Sequence, residues 1–202
     1  MPLSKQHKAQ TRNTIVGSAG RVFRRKGYHA AGIDTLMGEA GLTRGGFYAH
    51  FASKSELFAA VMAGDYWLTR ALTARDAETP ELWRAQTLAL LSDYLNPAHM
   101  DEVARGCNFA ALTADASRGD AAVREAYRLA FDGLVAQLLR RQGETAVAAV
   151  ARASAHQRNV AVQVAVTAIG ALSIAAALGA GESAQAALER ALALVRQWMD
   201  GC

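Results

Sequence analysis

Wherever apolar residues concentrate in this 202-residue chain they recur at the spacing of an α-helix, and no segment alternates with the two-residue period of a strand. Ile15, Val16, Ala19, Val22 and Phe23 lie at offsets 0, 1, 4, 7 and 8, one helical face, in a stretch from Gln6 to Lys26 that ends in Arg24, Arg25, Lys26 and then Gly27. Positive charge suits a helix C-terminus, and glycine stops the helix. A second, shorter helix is expected from Ile33 to Ala40, a third from Arg44 to about His50 with Thr43 as N-cap, and a fourth from Ser53, where Glu56 three residues on completes a capping box, continuing towards Leu72. Further helices are expected from Pro80 to Leu95, Cys107 to Ala116, Gly119 through Leu138, Ala155 to Leu178 and Glu182 to Met199. The expected class is all-α. With 51% hydrophobic residues and only three prolines, such a chain can bury a sizeable helical core.

Charge is unevenly placed. Residues 1–55 hold nine Lys/Arg against Asp34 and Glu39, +7 in all, which leaves −3 for the rest of a chain of net +4. A basic first quarter on a slightly acidic body points to a polyanion-binding module joined to something else. Two cysteines, Cys107 and Cys202, make no disulfide framework, so a reducing cytoplasm is the expected setting; the polar, basic start has no apolar run of signal-peptide type.

The two short helices flanking Ala40-Gly41-Leu42 have helix-turn-helix punctuation. The small residue lets the helices approach, the glycine takes a positive φ, and the hydrophobe tucks under the following helix. Around that turn stand Ala40-Gly41-Leu42-Thr43, Gly46-Phe47-Tyr48-Ala49-His50-Phe51 and Lys54-Ser55-Glu56-Leu57, preceded by Phe23-Arg24-Arg25-Lys26-Gly27-Tyr28. In register, these blocks resemble the DNA-binding domain of the TetR family over roughly residues 10 to 62. The resemblance implies an N-terminal three-helix helix-turn-helix domain, residues 1–52, followed by a helical ligand-binding and dimerisation domain, residues 53–202. It also implies a regulator, commonly a repressor, that binds a palindromic operator in double-stranded DNA as a homodimer and is released by a small-molecule effector.

Arg44, at the start of the reading helix, can donate two hydrogen bonds to a guanine edge. Thr43 can cap that helix and reach phosphate or a thymine methyl. Gly45 and Gly46 destabilise an isolated helix by about 1 kcal/mol each, so their presence suggests a steric demand for close approach. Tyr48, by the resemblance, contacts phosphate; from the sequence alone a core tyrosine with a wet hydroxyl fits as well. His50 reads a base or packs structurally. Lys54 stands at a helix N-terminus, where its charge would join backbone N–H groups on a phosphate. The family often has Ser or Thr where Ala31 and Gly32 stand, so that phosphate contact is missing, and Thr35 one turn on is the candidate substitute.

Residues 159–181 form an uncharged run long enough to span a bilayer. Its many small residues fit a core or interface helix better, and no membrane association is expected. By the resemblance, the last two long helices pair with their symmetry mates. Effector-lining candidates in the middle helices are Trp67, Leu72, Trp83, Met100, Phe109, Tyr127 and Phe131, although aromatic and Met residues at helical spacing are commonly core. Cys107, after Gly106 at a helix start, resembles a branch of TetR-like regulators, some of which sense electrophiles or oxidants; its other reading is a small buried hydrophobe. No His/Cys/Asp/Glu set has metal-ligand spacing, and no nucleophile–base pair or phosphate loop occurs, so neither catalysis nor a cofactor is expected. The alternative, a small-molecule-binding or enzymatic helical domain with a lapsed DNA module, is opposed by the presence of Arg44, Tyr48 and Lys54 together.

Overall fold

The computed structural model describes residues 5–64, 67–97 and 106–200. It is all-α, 78% helical, with no strand among the described residues. The elements are α1 (Lys5–Lys26), α2 (Ile33–Glu39), a 3₁₀ segment (Arg44–Ala49), α3 (Lys54–Met62), α4 (Trp67–Thr73), α5 (Pro80–Tyr94), α6 (Asn108–Arg118), α7 (Ala121–Leu139), α8 (Ala146–Arg152), α9 (Ala155–Leu178) and α10 (Glu182–Asp200). They form two compact units that do not follow chain order: residues 1–64 with 103–130, and residues 65–102 with 131–202.

In the first unit α1 packs against α2, α3 and α6. Ile15, Phe23, Leu36, Met37, Phe47, Leu57 and Phe58 are fully buried. At about 1.5–3 kcal/mol for each large apolar side chain, this cluster is what holds such short helices in place. Phe23, Tyr28 and Phe58 pack ring on ring, with centroids 5.2–5.8 Å apart. The turn after α2 is built as its punctuation predicts: Gly41 has φ +70°, its N–H reaches the Gly38 carbonyl, and the Leu42 N–H reaches that of Met37. These two bonds satisfy carbonyls that would otherwise be orphaned at the end of α2.

In the second unit α9 and α10 pack closely along each other. α9 is opened by a capping box in which the Ser154 hydroxyl accepts from the Gln157 N–H while the Gln157 side chain accepts from the Ser154 N–H. By length and composition α9 could cross a membrane, with mean hydropathy 2.0. In the structure Val160, Val164, Ala168 and Leu172 are buried, and Val162, Val166, Ile174 and Leu178 remain exposed.

Several expectations need correction. The helix from Ser53 does not run on to Leu72: α3 closes at Met62 with Ala63 as its C-cap, and a separate helix holds Trp67–Thr73. Glu56 reaches back to the Ala52 N–H, not that of Ser53, so only half of the expected box is made, the Ser53 hydroxyl accepting from the Glu56 N–H. The segment after Thr43 is a 3₁₀ helix; the Thr43 side chain makes no capping bond, and two glycines in six residues favour helix too weakly to enforce α geometry. Helix α8, seven residues capped by Thr145, was not expected, since two turns of Ala and Val show too little periodicity to read.

Candidate nucleic-acid interface

The 3₁₀ segment is held by its one buried side chain, Phe47, whose ring lies 5.9 Å from that of Phe51 and edge-on to Tyr48 at 5.2 Å. Anchoring at Phe47 turns its neighbours outward. Thr43, Arg44, Gly45 and Tyr48 are exposed, Tyr48 by 62%, while Gly46 and His50 are half-buried. Thr35, on α2, is half-buried as well.

Arg44 is not free in this state. Its Nη1 donates to Asp34 Oδ2 at 2.6 Å, and both side chains are well exposed. The other acid of the N-terminal segment, Glu39, is engaged by Arg25 at 2.9 Å and Arg21 at 3.4 Å. The Arg25 hydrogen bond holds the Glu39 carboxyl below its ordinary range. Asp34 is therefore the acid that pairs with Arg44, from the neighbouring helix.

The start of α1 joins this surface. The Arg12 guanidinium lies 4.6 Å from the centre of the Phe51 ring. Burial, followed by the charges of Lys8 and Arg12, pushes the His50 imidazole below its ordinary pKa. His50 Nδ1 is buried and makes no hydrogen bond to the described residues. Its surroundings suit the neutral imidazole, packed more than presented.

Lys54 stands at the start of α3, as its place in the sequence suggests, and its ammonium is engaged within the protein. Its ammonium donates to the Tyr28 carbonyl at 2.9 Å and the Ala31 carbonyl at 3.3 Å and lies 4.4 Å from the centre of the Tyr28 ring. Burial lowers its pKa. The charge is spent on fastening the loop between α1 and α2 to α3. The Tyr28 hydroxyl continues the network through Ser55 to Asp120 at 3.0 and 2.9 Å.

The effector-lining candidates fall in both units. Met100 lies outside the described residues. Phe109 is fully buried, its ring edge-on to Tyr127 at 5.4 Å, and the Tyr127 hydroxyl meets Thr113 at 2.8 Å. Cys107 is buried at the N-cap of α6, close enough to Tyr127 and Arg24 to act on both electrostatically. These three belong to the first unit, whereas Trp67 and Phe131 belong to the second. The second unit does hold a cavity, of about 70 Å³, whose walls include Trp83, Arg84, Arg141 and Arg152. Trp83 was named from sequence; the arginines were not, because they come from α5, the chain just past α7 and the end of α8, which have no common signal in the sequence. Among the described residues no group of three or more His, Cys, Asp or Glu could hold a metal ion.

Residues 15–61 match the family model of bacterial regulatory proteins, tetR family. The chain is 42% identical over 53 residues to the transcriptional activator FasR of Mycolicibacterium smegmatis, covering 26% of this chain and 24% of that one. It is 31% identical over 96 residues to the transcriptional regulator YfiR of Bacillus subtilis, covering 46% and 43%. The matches thus span from about a quarter to under half of those relatives. The reduced form of NemR from E. coli has the same fold, with TM-score 0.71 and 22% identity over 93% of this chain and 96% of that one.

Proposed function

We propose, from the match of residues 15–61 to the tetR family of bacterial regulatory proteins, that this chain is a transcriptional repressor of that kind, which binds an operator as a homodimer and is released by a small-molecule effector. The observation that carries the reading is the outward face of the 3₁₀ segment. There an exposed arginine, a residue without a side chain and an exposed tyrosine follow one another, on a segment anchored from behind by Phe47. Arg44 offers a planar fork for a guanine edge, and Tyr48 offers a hydroxyl for phosphate. In this reading Lys54 supports the fold of the interface more than it contacts DNA.

One reading head spans only a few base pairs, so a palindrome needs two at a set spacing. The surface for a second copy is the outward stripe of α9, exposed at Val162, Val166, Ile174 and Leu178 and half-buried at Gly170, at four-residue spacing. Ile174→Glu is expected to convert a dimer to a monomer in sedimentation and to weaken operator binding with it; a variant that stays dimeric would remove this face from the interface.

The test of DNA recognition is fluorescence anisotropy with the chain's own upstream DNA against a scrambled duplex across a salt series. Specific binding should weaken about 10³-fold between roughly 50 and 200 mM salt if the dimer neutralises ~6 phosphates. Arg44→Ala should remove the preference for the specific duplex. Asp34→Asn should do something different: with its partner uncharged, Arg44 is freed for phosphate, so binding to the scrambled duplex should strengthen and discrimination fall. Equal, weak binding of both duplexes by the unaltered protein would leave only a general polyanion surface.

A further inference from the structure

Asp34 and Glu39 are the acids of the basic first 55 residues, and the structure uses them differently. Glu39 is taken by two arginines of α1, Arg21 and Arg25. Asp34 is turned outward, its side chain 67% exposed, and meets Arg44 of the 3₁₀ segment. Its Oδ2 accepts from Arg44 Nη1 at 2.6 Å, while its Oδ1 has no donor among the described residues. An acid thus stands on the outward face, beside the arginine that the DNA-binding reading places in a groove.

This pairing limits what each group can still do. Only Nη1 of Arg44 is engaged, so the Nη2–Nε edge keeps its parallel N–H groups, which guanine O6 and N7 accept. Phosphate accepts from the same edge without regard to sequence, but it repels the carboxylate held beside the guanidinium. The pair as a unit therefore suits a base edge better than the backbone. At a base edge the carboxylate has a demand of its own. Docking strips water from it, and a desolvated carboxylate oxygen needs a donor. The phosphates offer none. In the major groove the donors are the N4 amino group of cytosine and the N6 amino group of adenine, whereas guanine O6 and thymine O4 are acceptors. The distances agree: an oxygen 2.6 Å from a guanidinium that grips one base is within reach of the next, about 3.4 Å along the strand.

We propose that Asp34 is a specificity-determining residue that reads the base pair beside the one Arg44 reads, its Oδ2 steadying the arginine and its Oδ1 accepting from a cytosine or adenine amino group. Every base pair shows one amino group and one carbonyl in the major groove, on opposite strands. Asp34 therefore reads the orientation of that pair: C·G and A·T are accepted, and their inversions G·C and T·A place a carbonyl against the carboxylate. The assignment rests on the DNA-binding reading above and extends it to a second position of the half-site.

The experiment begins by enriching duplexes from a random library with the full chain. The guanine is the position at which Arg44→Ala loses its preference. The pairs flanking that guanine are then set in turn to C·G, A·T, G·C and T·A, and affinity is read by fluorescence anisotropy. At one flank, the two orientations with the amino group on the same strand are expected to bind about tenfold tighter than their inversions. Asp34→Asn, an exposed change with its melting temperature checked, should bring all four within about threefold of one another, because its amide offers both a donor and an acceptor. Flanking pairs that bind alike, or an orientation preference that survives Asp34→Asn, overturn the proposal and leave the operator reading standing. A library from which the chain enriches no sequence overturns both.

Discussion

Gly45→Leu is expected to lower operator affinity by more than about a hundredfold while leaving the melting temperature unchanged or slightly raised. A Cβ built on Gly45 meets no atom of the protein within 4 Å, and the residue does not have a positive φ. Nothing inside the chain therefore requires glycine there, and replacing it should gain about 0.5–1 kcal/mol in helical preference. In the DNA-binding reading, the demand for glycine comes from the approach of DNA. A leucine on the exposed face between Arg44 and Gly46 would stand between the backbone and a groove floor, and one misfitted contact of this kind removes the neighbouring bonds too. Gly119 is the control in the opposite sense. Its Cβ would fall far inside van der Waals contact with the Val123 side chain, so Gly119→Ala should destabilise by about 1–3 kcal/mol with no direct effect on the reading face. Anisotropy and thermal melting of both variants check the contrast. Unchanged operator binding by Gly45→Leu would mean that this segment does not approach DNA at that point.

The second large effect lies in the first unit's interior. Asn108 is buried at the start of α6, where its Nδ2 donates to the Val61 carbonyl of α3 at 3.0 Å and its Oδ1 accepts from Arg24 Nη1 of α1. One amide thus joins three helices. Burial lowers the Arg24 pKa, a sign that its charge is poorly solvated. Asn108→Ala removes an acceptor from a cation and one of the donors to the Val61 carbonyl, which keeps the Gly64 N–H at 3.2 Å. A hydrogen bond to a charged group contributes about 1.5–3 kcal/mol and a neutral one about 0.5–1.5, so a net loss of about 2–4 kcal/mol is expected in urea unfolding. Asn108→Asp keeps the acceptor for Arg24 and loses only the donor to Val61, so its loss should be smaller at neutral pH. A loss below about 0.5 kcal/mol for Asn108→Ala would show that the three helices are held by apolar packing alone.

Much of the local fold around the turn was legible before the structure. Ile15 through Phe23 mark a helical face over nine residues, Gly41 stands where only a positive φ closes the turn, and Ser53 caps α3 as its spacing with Glu56 implies. These signals act over four residues or fewer, so they survive in the linear order, and they placed the helix-turn-helix and its outward arginine. The break after Met62 escaped because the apolar pattern runs on across it into α4.

The sequence by itself determined the helical class, the position of the turn and the uneven distribution of charge, because backbone propensity, capping and glycine stereochemistry are local. Only the tertiary structure decided where the charges went. Lys54, at a helix start that favours phosphate, lies on the Tyr28 and Ala31 carbonyls, 26 and 23 residues away in the chain. Arg44 is met by Asp34, and Arg24 by Asn108 at a separation of 84 residues. The cavity gathers arginines from α5, the chain just past α7 and the end of α8. Such pairings have no period in the sequence: they are chosen when apolar faces pack and leave each buried or half-buried charge to take the polar group within its reach.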